Sequence, residues 1–164
     1  MIRLIIKYGL MTCLLVLLQV LVLNNFQYSI YVNPYLYVLV ILLLPVDINK
    51  QLLLTIGFFL GLVIDMFSST YGMHASATVF LCFLRPYVLN ILAPRDGYEV
   101  GEIPHYQSQG YYWFVAYCGT LILAHHLFLF FVEAFRFTPF WQIIGRIIAS
   151  SFVTLILVII SMLL

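Results

Sequence analysis

Residues 57–77 read GFFLGLVIDMFSSTYGMHASA, and this stretch decides how the rest of the chain is read. Most of it is apolar enough to sit in lipid, yet it carries Asp65, His74 and three glycines. In a bilayer the backbone polar groups of a spanning segment must be satisfied internally, so the segment is helical and spacing can be read as faces. Gly57, Gly61 and Asp65 then fall at i, i+4 and i+8 on one stripe, which Ser69 continues. Small residues four apart let another helix approach closely. The turn that follows is short. If 68–71 reverses the chain, positions 65 and 74 lie at nearly equal depth on neighbouring helices. His74 is then the expected partner of Asp65, directly or through a shared water-filled pocket. Gly72, Ala75, Ser76, Ala77 and Thr78 give the next helix a small-residue start. The stretch is expected to form a tightly packed helical hairpin, with Gly57, Gly61, Asp65, Gly72, His74 and Ser76 as a helix-packing or partner interface.

Working outward, the composition fits the same reading. Hydrophobic residues make up 65% of the 164 and charged ones 8%, with a mean hydropathy of +1.11. A water-soluble domain of this size has too few polar groups here to cover itself. A net charge of +1 offers no basic stripe for nucleic acid. Three widely spaced cysteines in apolar stretches suit neither a disulfide framework nor a CxxC site, and are expected as small core residues.

A bilayer core of ~30 Å needs ~20 apolar residues per helix. Six spans satisfy this, at 4–23, 30–44, 52–67, 72–92, 112–132 and 140–164, in a single integral membrane domain of residues 1–164. The first carries Arg3 and Lys7 ahead of its apolar run and lacks a small-x-small cleavage site, so it is expected as an uncleaved helix. The second is short and carries Asn33 and Pro34 near its start, which predicts an irregular or interfacial outer end. A polar loop, 93–110, separates the fourth and fifth. Arg3, Lys7, Lys50 and Arg95 gather on one side of this layout and Arg136 and Arg146 on the other, which predicts cytoplasmic termini and a cytoplasmic 93–110 loop. Tyr28, Tyr31, Tyr35, Tyr37, Tyr71, Tyr111, Tyr112, Trp113 and Trp141 lie near span ends, as an aromatic belt does.

Ionisable residues inside a membrane are candidates for function. Arg85 lies about two-thirds of the way along the fourth span. Its guanidinium is expected to snorkel to the cytoplasmic interface, with Pro86 kinking or ending the straight part of the helix. These two form the expected cytoplasmic-interface anchor; depth argues against an Asp65–Arg85 ion pair. His125 and His126 lie ~20 Å into the fifth span at 1.5 Å per residue. Adjacent histidines on a helix point about 100° apart, so no metal site is expected from them with Asp65, His74 and Glu133. Ser68, Ser69 and His74 suggest a nucleophile only superficially, because no oxyanion hole accompanies them. No GxSxG, HExxH or phosphate-cradling loop occurs. The chain is expected to be no enzyme and to need no cofactor.

The pattern Gly57, Phe58, Gly61, Leu62, Asp65, Gly72, His74, Ala75 resembles the signature stretch of the rod shape-determining protein MreD family. Size, six spans and the near absence of soluble domains are similar; the 93–110 loop is longer and more polar than is typical. The resemblance implies an all-α fold like that of the six-helix substrate-binding subunit of energy-coupling-factor transporters. It also implies a non-enzymatic subunit in the bacterial inner membrane, serving cell elongation and peptidoglycan synthesis. Its partners would be an MreC-like protein, a RodA-type glycosyltransferase and a penicillin-binding transpeptidase in one complex, together with membrane lipid. Two other readings stay open on the residues alone. One is a small-molecule-binding membrane subunit of a transporter, docking an energising module through the glycine stripe. The other is a proton-coupled carrier working through Asp65.

Overall fold

The structure is a computed structural model describing residues 2–25, 32–134 and 140–163. Ile30, Tyr28, Tyr31, Arg136 and Leu164, and the side chains of Arg3 and Lys7, lie outside the described residues. Those described form helices α1 (Ile2–Leu21), α2 (Leu39–Leu42), α3 (Lys50–Ser68), α4 (Met73–Ile91), α5 (Tyr106–Gln109), α6 (Tyr111–Glu133) and α7 (Phe140–Leu163), with no strand among them. Among the described residues, four stretches are long and apolar enough to cross a membrane: Tyr8–Asn25, Lys50–Ser68, Tyr111–Glu133 and Phe140–Leu163. The chain is an all-helical membrane protein. Leu10, Leu14, Leu17, Met66, Ile148 and Phe152 are exposed on the outer faces of these helices, surface that lipid rather than water must cover.

α3 packs on α4, α4 on α6 and α6 on α7. Against this layer lies the stretch expected as the second span, and it is not a regular helix. It begins without helical structure, passes through a 3-10 turn at Leu36–Val38 and one α turn at Leu39–Leu42, and stops before Pro45. Pro34 and Pro45 bound it, and proline lacks the amide that a continuing helix needs. Its direction is set by two contacts to α1. Gln19 binds at Pro34 and Leu36, while the Tyr8 hydroxyl donates to the Leu43 carbonyl. The segment therefore runs antiparallel to α1 for about 16 Å, the rise of eleven helical residues. Every residue from Leu36 to Leu44 is buried.

A non-helical backbone at membrane depth is tolerated where protein surrounds it and supplies its hydrogen bonds. That supply is visible group by group. The Asn33 and Tyr35 amides donate to Ser150 Oγ (2.9 Å) and Thr154 Oγ1 (3.1 Å) on α7. Gln19, fully buried, accepts from the Leu36 amide at 2.8 Å and donates to the Pro34 carbonyl at 3.0 Å. At the other end the carbonyls of Leu42, Leu43, Leu44 and Pro45 take donors from Tyr117, Tyr8 and Arg85. Polar side chains from α1, α4, α6 and α7 thus replace the helical bonds that this segment does not make. Cys82 and Cys118 are buried as expected, whereas Cys13 is exposed on α1.

Candidate functional site

Polar groups concentrate in two places, one at the α3–α4 turn and one near the Leu44–Pro45 end of the irregular segment. At the first, Asp65 closes one helix and opens the next. Its carbonyl accepts from the amides of Ser69 and Thr70, ending α3. Its carboxylate, 3% exposed, accepts from the amides of His74 (3.0 Å) and Ala75 (2.9 Å) and from the Thr70 hydroxyl (2.5 Å). His74 and Ala75 are the second and third residues of α4, whose amides a capping side chain ordinarily takes. The N-cap position is Gly72, which has no side chain and sits at φ +79°. Asp65 provides the missing cap from the preceding helix, and its negative charge suits the positive end of α4.

The glycine stripe makes this reach possible. A Cβ on Gly61 would lie 2.5 Å from Ala75 Cα and 2.6 Å from the His74 carbonyl oxygen, both main-chain atoms. A Cβ on Gly57 would collide with Cys82 Sγ. The stripe therefore faces α4 of the same chain. As a surface for docking a transporter's energising module it is already occupied, which corrects that expectation. Ser76 is exposed on α4, and its hydroxyl donates to the Met73 carbonyl. Gly97 and Gly101, spaced like Gly57 and Gly61, take positive φ in the loop and pack against nothing.

His74 is level with Asp65 as the spacing predicts, but the carboxylate binds its backbone amide and not its imidazole. The ring turns the other way. Its Nδ1 lies 3.2 Å from the Tyr37 hydroxyl, which also meets Thr78 Oγ1 (3.3 Å) and His125 Nε2 (2.9 Å). Tyr37, fully buried in the irregular segment, is the hub of this cluster. His126 points elsewhere, with Nδ1 on the Ile122 carbonyl and Nε2 on Thr154 Oγ1. The divergence of adjacent histidines is the one helical geometry dictates. Among the described residues no three His, Cys, Asp or Glu side chains converge on a point that would hold a metal. Ser68 Oγ accepts from the Asn24 side chain at 3.1 Å and has no histidine against it.

Above this cluster lies a cavity of about 380 Å3 whose walls come from α1, the irregular segment, the α3–α4 turn, α6 and α7. Arg146 and Glu133 line it as an ion pair at 3.0 Å. With its amide oxygen turned toward Arg146, Asn33 accepts from Nη2 and Nε at 3.0 and 3.1 Å. The guanidinium also stands 4.5 Å over the Phe130 ring. The Tyr35 ring forms the floor, 5.0 Å from His74 and 5.4 Å from His126 between ring centres.

The second cluster corrects the reading of Arg85. Its guanidinium does not reach an interface; the residue is 0% exposed. Nε donates to the Tyr117 hydroxyl at 2.8 Å, Nη1 to the Pro45 carbonyl, and Nη2 to the Leu44 and Pro45 carbonyls. These acceptors are the unsatisfied end of a helical turn that Pro45 prevents from continuing, the place where a cation is favoured. α4 continues past Pro86 to Ile91, so the proline does not end the helix. No carboxylate pairs with Arg85 among the described residues, and Asp65, on α3, binds the first turn of α4, about three turns away from Arg85. The 93–110 loop closes over this end. Val46 donates to the Glu102 carbonyl, Trp113 to the Leu92 carbonyl and Tyr98 to the Leu89 carbonyl.

The sequence reading does not single out Gln19, Tyr117, Ser150 and Thr154, which hold the irregular segment, and it places Tyr37 in an interfacial aromatic belt, whereas Tyr37 is fully buried and hydrogen-bonded inside the bundle. The signal for them was Asn33–Pro34 in a short apolar run: a broken span needs donors and acceptors on its neighbours. Comparison with protein-family models, with curated proteins and with solved structures returns no match for this chain.

Proposed function

We propose that this chain is a non-enzymatic membrane subunit of the bacterial cell-elongation machinery, as the resemblance of residues 57–75 to the MreD family implies. One observation carries the reading. The stretch with the resemblance is the hairpin on which the fold turns, and its glycines, Asp65 and the His74 amide all have packing or capping roles there. A motif used in this way belongs to a protein whose shape is its contribution. Asp65 and Arg85, the charged residues of the two clusters, both bind backbone groups, which favours a scaffold over a proton-coupled carrier working through Asp65. On this reading the chain crosses the inner membrane six times, the second time through its irregular segment. Both termini and the 93–110 loop are then cytoplasmic, and an MreC-like protein, a RodA-type glycosyltransferase and a penicillin-binding transpeptidase are its partners. Depleting the protein should round the cells, and an affinity-tagged copy should co-purify the MreC-like partner. Normal shape on depletion together with no such association would overturn the proposal.

A further inference from the structure

The cavity above the Tyr37 cluster has properties that the scaffold reading does not use. Its volume of about 380 Å3 falls in the range of small-molecule pockets, roughly 300–1,000 Å3. His74, 4% exposed, lines it; its Nδ1 is held by Tyr37, and its Nε2 has no hydrogen-bond partner among the described residues. Arg146 and Glu133, the ionised side chains among the described lining residues, neutralise each other. The pair leaves no net charge for a guest to balance, so an ion of either sign would bring an uncompensated charge into the site. Among the described lining residues, what is left unused is uncharged or already balanced. Tyr35 contributes a hydroxyl, Ser68 an O–H that accepts from Asn24 but donates to nothing described, and Glu133 its second carboxylate oxygen. An apolar guest would leave these groups unpaired, which disfavours it. A hydroxyl group both donates and accepts, so it matches such a mixed set.

We propose that this cavity is a binding site for an uncharged, hydroxyl-bearing molecule, a sugar or polyol, either free or as the headgroup of a lipid. The site rests on its own geometry and stands whether or not the chain serves cell elongation. The test uses the full-length protein in phosphatidylcholine nanodiscs. Glucose, N-acetylglucosamine and glycerol serve as soluble probes, glucosyl diacylglycerol in the disc as the lipid probe, and phosphoethanolamine as the charged control. Saturable binding of a hydroxyl probe is expected, weakened about ten-fold in Tyr35→Phe and in Ser68→Ala, the loss of roughly one hydrogen bond to the ligand. Binding of the soluble probes marks an aqueous ligand, and binding of the glycolipid alone marks a lipid headgroup. A second readout does not depend on those variants. In a Cys13→Ser background, Ser68→Cys should react with a methanethiosulfonate reagent, and the bound probe should slow that reaction. The proposal is overturned if no hydroxyl probe saturates or protects position 68 below about 10 mM. Tighter binding of phosphoethanolamine, or unaltered affinity in both variants, would overturn it as well.

Discussion

Replacing Asp65 with alanine removes one carboxylate and leaves two buried amides, those of His74 and Ala75, without an acceptor. A buried donor left unsatisfied costs about 1–3 kcal/mol, so the pair costs roughly 2–6 kcal/mol. Loss of an ordinary helix cap costs about 0.5–2 kcal/mol, which pulls the expectation toward the lower half. We expect about 3 kcal/mol, on the order of a hundred-fold in the folded-to-unfolded ratio. Asp65→Asn keeps one acceptor oxygen and should lose less, about 1–2 kcal/mol, through one amide and the charge. Equilibrium unfolding of the purified protein by sodium dodecyl sulfate in mixed micelles, followed by circular dichroism, measures both. An Asp65→Ala variant within about 0.5 kcal/mol of wild type would refute the capping role.

Three further outcomes follow from the same geometry. Gly61→Ala places a methyl group against the main chain of Ala75 and His74, so the helices must part; a loss of about 1–3 kcal/mol is expected in the same assay, and a neutral result would contradict the close approach. Arg85→Lys keeps the charge but cannot reach Tyr117, Leu44 and Pro45 together; it should lower stability by at least about 1.5 kcal/mol and speed amide exchange around residues 36–46, and wild-type exchange there would count against the clamp. Glu102 lies in the loop, where slight burial opposes its charge but hydrogen bonds from the Gln109 side chain and the Glu99 amide outweigh it and hold its carboxyl below the usual range. A depressed folded-state value gives stability that is present above the ordinary glutamate range and is lost as pH falls through the lowered one. The loop should therefore become more sensitive to an acid protease as pH drops below about 4, and Glu102→Gln should show that sensitivity at neutral pH with a neutral-active protease; a pH-independent loop would exclude the role.

The hairpin was legible because its determinants are local. Gly57, Gly61 and Asp65 share a stripe, and a short turn sets Asp65 beside the start of α4. The carboxylate's choice of partner was not legible, because sequence spacing fixes depth but not which atom of His74 is nearest. Arg85 shows the limit more sharply. Depth along α4 pointed to a nearby interface, whereas the residue is drawn inward by carbonyls forty positions earlier in the chain. Those acceptors exist because Pro45 ends a helical turn inside the protein. For the second span the sequence predicts a short helix with an irregular end; it is irregular through most of its described length because side chains on four helices replace its internal hydrogen bonds. Such long-range satisfaction leaves no periodic trace on the helices that provide it: Gln19, Tyr117 and Thr154 look like isolated polar residues in apolar runs.

The central claim is that the intramembrane polar residues hold the fold and do not themselves carry chemistry. The direct measurement is complementation of a strain depleted of this protein by Asp65→Asn and Arg85→Lys, with the membrane abundance of each variant quantified beside cell shape. The account predicts that shape recovers in proportion to the amount of folded protein, and fully where a variant is expressed to wild-type abundance. A variant that is folded and abundant yet fails to restore shape would contradict it.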